Sequence, residues 1–224
     1  LTVREFRPRW IYIGRTMALG AANCFNQLAM MVVQVVMNNT LKYYGAVSSY
    51  GSEIPLACAG IIAKVGMIFF SFVIGLSQGL QPIVSFNYGA KQYRRVRETY
   101  FRAEFVATLI SIVGFLCFQL FPHQIISIFG TGSDEYFRFA QRYFRIYMFC
   151  TFLNGIQPIT SNFFTSIGKA SRGIFLSLTR QIICLLPLIV IFPMLWGIDG
   201  VMYAGPVADS VAAILSVIFI VVEM

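Results

Sequence analysis

Three charged side chains lie deep inside apolar stretches of this 224-residue sequence. Asp209 and Lys64 fall about nine and twelve residues into their predicted helices, roughly 14 and 18 Å along the helix axes. An ionisable side chain at that depth marks an ion path, a substrate site or a pairing partner. We expect either a structural Lys64–Asp209 ion pair or a protonation or cation-coupling role for Asp209. Arg180 would either reach the membrane surface or serve the interior.

Amide side chains recur at helical spacing in the same apolar stretches and form three polar stripes. An unpaired amide facing lipid costs several kcal/mol, so these stripes should face each other or a water-filled cavity. Amides also join neighbouring membrane helices, and for any single amide both explanations stay open. Three stripes together favour a cavity lining. The stripes comprise Asn23, Gln27, Gln34 and Asn38, then Lys64, Ser71, Gln78 and Ser85, then Asn154, Gln157 and Ser161.

The composition places most of the chain in lipid. Hydrophobic residues make up 58% of the sequence and charged residues 12%, about half the share that soluble domains carry. The mean hydropathy is +0.73. The net charge of +8 would raise nucleic-acid binding in a soluble protein. Here the basic residues cluster between apolar spans, so we expect a lipid bilayer and no nucleic acid as their partner.

We predict six transmembrane helices, because each span holds about 20 apolar residues. Their limits are about 16–41, 52–88, 101–121, 136–166, 171–194 and 200–222, called helices A to F. Residues 1–224 would form a single six-helix unit. Basic residues concentrate before helix A and in the B–C and D–E loops, which places both termini in the cytoplasm. With no initiator Met, the chain looks like a piece of a longer protein.

The sequence lacks the motifs of soluble enzymes and metal sites. Its five cysteines lie in apolar spans without a metal-ligand spacing, and no phosphate-binding loop or hydrolase motif is present. We therefore expect no enzyme activity, no metal and no cofactor. Two segments form an internal echo, because GLQPIVS at 79–85 resembles GIQPITS at 155–161. The similarity is either a local sequence pattern that occurs twice or a trace of duplication.

Several segments together resemble one transporter family. The stretch GLSQGLQPIVSFNYGAK at 75–91 resembles the eighth helix of MATE (multidrug and toxin extrusion) transporters and its exit. Residues 162–181 resemble the junction of that family's tenth and eleventh helices, and 197–215 resemble its twelfth. The resemblance covers nearly the whole chain and is strongest to the bacterial branch related to the staphylococcal multidrug pump.

The resemblance implies an all-α membrane protein whose six helices form the C-terminal lobe, helices seven to twelve, of a twelve-helix MATE fold. It also implies a bacterial cytoplasmic membrane, a missing N-terminal lobe and export of small organic cations. Inward flow of Na⁺ or H⁺ would drive that export. Helix A carries amides where some family members carry an acid, so the coupling carboxylate would lie in the missing lobe. The alternatives are a lipid-linked oligosaccharide flippase and a non-transporting membrane scaffold.

Overall fold

The computed structural model describes residues 10–129 and 133–223, without the side chains of residues 11, 12, 15, 16 and 18–23. Over these residues the chain is helical, with no strand. A 3₁₀ segment at Phe149–Leu153 joins α5 to α6, and a π-helical segment at Thr179–Leu185 joins α7 to α8. The helices are α1 Trp10–Val47, α2 Glu53–Gly89, α3 Tyr93–Leu120, α4 Pro122–Phe129, α5 Asp134–Tyr147, α6 Ile156–Ser166, α7 Ala170–Leu178, α8 Leu186–Trp196 and α9 Ile198–Glu223.

Four helices of the described chain are long and apolar enough to cross a membrane. They are α2, α3, the continuous run Ala170–Trp196 and α9, and they confirm the prediction of an all-α membrane protein. The 38-residue α1 is also long enough to cross a membrane. Predicted helix D, at 136–166, is two shorter helices rather than one. Helix C begins at Tyr93 instead of Phe101, because the basic run before Phe101 is itself helical.

Prolines account for the interruptions in the two broken spans. Pro158 lies in the first turn of α6, where its missing N–H is not needed, so the helix starts afresh after Gly155. Pro187 lies at the start of α8 and cannot donate to a carbonyl of the preceding turn. A π-helical turn directly before it, at Thr179–Leu185, accommodates that missing bond. Proline therefore sets the level of both interruptions.

Two apolar cores occupy opposite ends of the bundle. The first includes Leu41, Ile62, Phe144, Ile189 and Met202, contributed by α1, α2, α5, α8 and α9. The second lies nearer the basic α2–α3 connection, and its largest members come from α2, α3, α6 and α7; they include Val84, Tyr100, Ile159, Phe164 and Leu176. Asp209 falls between Ala208 of the first core and Ile220 of the second. The level between the cores is where buried polar side chains collect.

Candidate functional site

An ion pair between Arg180 and Asp209 lies at the level between the two cores. Arg180 Nε donates a hydrogen bond to Asp209 Oδ1 at 2.7 Å, and Nη2 of the same guanidinium lies 2.6 Å from that oxygen. The Asp209 side chain is only 6% exposed and that of Arg180 is 24% exposed. Two charges removed from water attract each other strongly, but each has a large desolvation cost. The pair is therefore held by close geometry, and protonation of Asp209 would leave Arg180 without its partner.

Three helix irregularities meet around this ion pair. Arg180 belongs to the π-helical segment, and Asp209 lies one turn beyond Pro206 in α9. Tyr147, the last residue of α5, has its ring beside Gly205, four residues before Asp209 in α9. At Gly205 a Cβ atom would lie 2.8 Å from the Tyr147 ring, so only glycine lets α5 approach α9 this closely. Such irregularities near the middle of a membrane bundle are typical of transporter sites.

The 3₁₀ segment contributes further polar contacts to the same level. The Ser210 hydroxyl donates to the Pro206 carbonyl at 2.8 Å, within α9. Its oxygen also lies 3.5 Å from Cys150 Sγ. Because the hydroxyl hydrogen is already used, the Cys150 thiol is the donor in that contact. The Cys150–Ser210 contact links α9 to the 3₁₀ segment, where the span from α5 to α6 is interrupted.

A second polar seam joins α2 to α6. Gln81 Nε2 donates to Asn162 Oδ1 at 2.6 Å, and the Asn162 amide also donates to Ser77. Ser77 Oγ in turn donates to the Pro158 carbonyl at 3.0 Å. The two segments of the internal echo, GLQPIVS and GIQPITS, therefore lie on helices that pack against each other in parallel. Partly buried hydrogen bonds of this kind, together with close packing, hold membrane helices together.

The structure separates the predicted polar stripes. Asn154 is buried and Gln157 is half-buried, with Gln157 Nε2 donating to Ser177 Oγ at 3.4 Å. The stripes of α1 and α2 lie on the outside of the chain instead, and their described side chains form no hydrogen bond with each other. Gln34 Nε2 donates to Asn38 Oδ1 within α1 at 3.1 Å. The exposed or partly exposed members are Gln27, Gln34, Asn38, Lys64, Ser71, Gln78 and Ser85. The Asn23 side chain lies outside the described residues.

The predicted Lys64–Asp209 ion pair is wrong. Lys64 is exposed and forms no ion pair within the described part of the chain, whereas Asp209 pairs with Arg180. Depth along the sequence placed Lys64 and Asp209 at similar levels, but it does not say which way a side chain points. Arg180 lies in the π-helical segment and its guanidinium pairs with Asp209, which favours the interior role over the membrane surface.

Several polar residues of the interior escaped the sequence analysis. Ser77, Gln81 and Asn162 form the α2–α6 seam, and the carboxylate oxygens of Glu104 in α3 are shielded from solvent. Gln81 lies inside the echo that the sequence shows, and the echo is the one signal that pointed to it. Glu104 falls three residues inside predicted helix C, where an acid within an apolar span was a detectable signal.

A partly exposed charge cluster closes the basic end of the bundle. Lys169 and Arg172, at the start of α7, both donate to the Glu223 carboxylate at the end of α9. The cluster ties the first turn of α7 to the last turn of α9. Because these side chains are partly exposed, its stabilising effect is smaller than that of a buried pair.

Comparisons with known proteins identify the class. The MatE family profile matches residues 22–191. The chain belongs to this family, the MATE transporters. The multidrug export protein MepA of Staphylococcus haemolyticus (strain JCSC1435) is 22% identical over 223 residues. That match covers 97% of this chain and 46% of the relative, so the chain spans about half the length of the curated relatives it matches.

Solved structures share the fold. A multidrug resistance MATE family transporter in an outward-facing conformation superposes with a TM-score of 0.86 at 20% identity, covering 98% of this chain and 48% of the other. The MATE multidrug transporter DinF-BH gives a TM-score of 0.80 at 33% identity. That match covers 92% of this chain and 45% of the other. The chain therefore has the fold of half a MATE transporter.

Proposed function

We propose that the chain is the C-terminal lobe of a secondary active exporter of small organic cations, driven by inward flow of Na⁺ or H⁺. Family membership, together with a match to about half of each relative, carries this proposal. The missing half would be an N-terminal lobe of the same transporter. The protein would lie in a bacterial cytoplasmic membrane with both lobe termini inside, as the basic α2–α3 connection favours.

The exposed polar stripes support a shared cavity between two lobes. Gln34 and Gln78 are exposed on α1 and α2. Lipid offers no partner for Gln78 or for the donors and acceptors that the Gln34–Asn38 bond leaves unused. Water or a second lobe would satisfy them. We therefore assign Gln27, Gln34, Asn38 and Gln78 to the cavity wall. Asn154 and Gln157 would lie behind the residues that face the cavity, because their side chains are partly or fully buried.

The charge pattern favours an exporter over a lipid-linked oligosaccharide flippase. A flippase cavity should be strongly cationic in order to hold a pyrophosphate. Arg180 is neutralised by Asp209, which leaves Lys64 as the one unpaired cation on the polar stripes of the described helices. A single lysine is a weak basis for binding pyrophosphate. A non-transporting scaffold, the other alternative, would not need exposed amides.

A dye-accumulation assay tests the proposed function. The full-length transporter is produced in bacteria that lack their own multidrug pumps, and ethidium retention is followed with and without the ion gradients. We expect lower retention in producing cells, and loss of that difference when both gradients are collapsed. Equal retention in producing and non-producing cells, with the protein present in the membrane, would refute an organic-cation exporter.

A further inference from the structure

Glu104 is an acid inside α3 that has no hydrogen-bond partner. Both of its carboxylate oxygens are shielded from solvent and accept no hydrogen bond in the described chain. The neighbouring turns of α3 contribute Tyr100, Ala103 and Ala107 to the apolar core that α3 shares with α2 and α6. A charged carboxylate in such surroundings would have lost its hydration without compensation.

The nearest polar groups are already engaged or uncharged. The Tyr100 hydroxyl is 2.9 Å from Thr160 Oγ1, and no acid or base occurs in α6. Glu98, two turns before Glu104, is exposed and pairs with Arg94. The other titratable or charged side chains of α3 and of the elements packed on it are Glu53, Cys58, Lys64 and Tyr88 of α2, Cys150 of the 3₁₀ segment, Tyr93, Arg95, Arg97, Arg102 and Cys117 of α3, His123 of α4, and Asp134, Glu135, Arg138, Arg142, Tyr136, Tyr143, Arg145 and Tyr147 of α5.

Those groups lie at other levels or outside the bundle. Phe69 of α2 packs against Gly114 and Phe118 of α3, so Lys64 lies beyond that level, toward the far end of α3. Tyr88 packs on Tyr93 at the opposite end, where α3 begins. Arg95, Arg97 and Arg102 are exposed. No ion pair within the described residues therefore compensates the Glu104 charge.

A second unpartnered polar group lies on the same face of α3. Ser111 follows Glu104 by seven residues, about 10 Å along the helix, and its buried hydroxyl also has no partner among the described atoms. Ser111 faces the interruption between α5 and α6: a Cβ atom on Gly155 would lie 3.0 Å from Ser111 Oγ and 3.1 Å from the Ala107 carbonyl oxygen. The face from Glu104 to Ser111 thus keeps unused hydrogen-bonding capacity beside a broken helix.

We propose that Glu104 is a proton-binding carboxyl that is protonated in this conformation. A proton neutralises the buried group without any other ligand. A metal cation would need several oxygen ligands, and the described residues contain no cluster of three acidic, histidine or cysteine side chains. Resting on the proposed function, movement of the α5–α6 interruption would hydrate this face and release the proton, which makes Glu104 a coupling acid in this lobe.

Carbodiimide labelling tests the proton directly, because an apolar carbodiimide reacts with protonated carboxyls in membranes. The full-length protein in liposomes is treated with dicyclohexylcarbodiimide from pH 5 to pH 9, and the adducts are mapped by mass spectrometry. We expect labelling at Glu104 and none at Glu98, the exposed acid on the same helix. Above its midpoint, labelling should fall about tenfold per pH unit. The variant E104Q should lose the adduct.

The outcomes separate this inference from the proposed function. Equal labelling of Glu98 and Glu104, or labelling of Glu104 that does not change with pH, would overturn the proton site. Protection by Na⁺ at constant pH would assign the site to a metal cation and also overturn it. If no adduct forms at any pH, a protonated-carboxyl infrared band that disappears in E104Q still supports the inference, and its absence refutes it. Unchanged dye export by E104Q would refute the coupling role of Glu104 and leave the proposed exporter function standing.

Discussion

Asp209 Oδ1 accepts a hydrogen bond from Arg180 Nε at 2.7 Å and lies 2.6 Å from Nη2 of the same guanidinium, between the two apolar cores of the lobe. The pair joins α9 to the π-helical turn at a level where the Asp209 carboxylate is shielded from water and Arg180 is partly exposed. It therefore fixes the relative position of two spans, each of which has a proline-dependent irregularity close to the pair.

Removing one partner of this pair should destabilise the lobe far more than removing both. R180M or D209N leaves one buried charge, at a cost of about 3–5 kcal/mol, whereas the double variant R180M/D209L should be near neutral. The free energy of unfolding in mixed micelles measures the difference. Arg142–Asp199, an exposed pair at 2.9 Å, is the matched control and should contribute about 0–1 kcal/mol. Equal effects at both pairs would contradict the assignment.

The α2–α6 seam should depend on Gln81 and not on its exposed neighbour. Q81L removes the bond to Asn162 and leaves that amide with unused donors and acceptors, which should cost about 1–2 kcal/mol. Q78L, one turn away on the exposed face, should change the free energy of unfolding by less than about 0.5 kcal/mol. Thermal unfolding of the two variants in the same detergent is the measurement. A larger loss in Q78L would show that the seam is misplaced.

Gly205 should tolerate no side chain. In G205A the new methyl group meets the Tyr147 ring at 2.8–3.0 Å, so α5 must move away from α9 at a cost of about 1–3 kcal/mol. G79A is the control, since no atom lies within 4 Å of a Cβ added there, and alanine in a helix is favoured over glycine by roughly 1 kcal/mol. Opposite signs of the stability change in the two variants are expected. Recovery in G205A/Y147L would identify the ring as the obstacle.

Lys64 should weaken the binding of cationic substrates. Its exposed ammonium lies on the stripe assigned to the cavity, so K64Q should tighten binding of a cationic dye by roughly 1 kcal/mol, about fivefold. K42Q removes an exposed charge near the end of α1 and should leave binding unchanged. Fluorescence titration of the full-length protein with ethidium measures both. Weaker binding in K64Q would show that the lysine favours substrate, as an anion-binding cavity requires.

The positions of most spans could be predicted from the sequence, because the hydropathy of a segment depends on its own residues and not on the helices packed against it. Predicted helices A, E and F lie within longer helical segments of the structure, and predicted helix B matches α2 within one residue at each end. Helix D shows the limit of this approach. Its apolar run continues through Gly155 and Pro158, so composition predicts one span, whereas proline geometry and packing against α3 and α9 divide it.

Pairing of side chains could not be read from spacing alone. Spacing along α2 predicted the Lys64, Ser71, Gln78 and Ser85 stripe, and all four residues do share one exposed face. It could not show which helix faces Asp209, because that depends on rotation of α9 and on the extra residue in the π-helical turn. Partner choice is thus a property of helix rotation, which a single sequence does not fix.

Transport by reconstituted protein tests the central proposal most directly. The full-length transporter is placed in liposomes, and ethidium movement is followed after an inwardly directed Na⁺ or H⁺ gradient is imposed. The D209N variant is measured in the same way for comparison. We predict that one of the two gradients drives ethidium against its own concentration gradient. Ethidium movement no faster than in protein-free liposomes under either gradient would contradict the assignment of this lobe to a drug exporter.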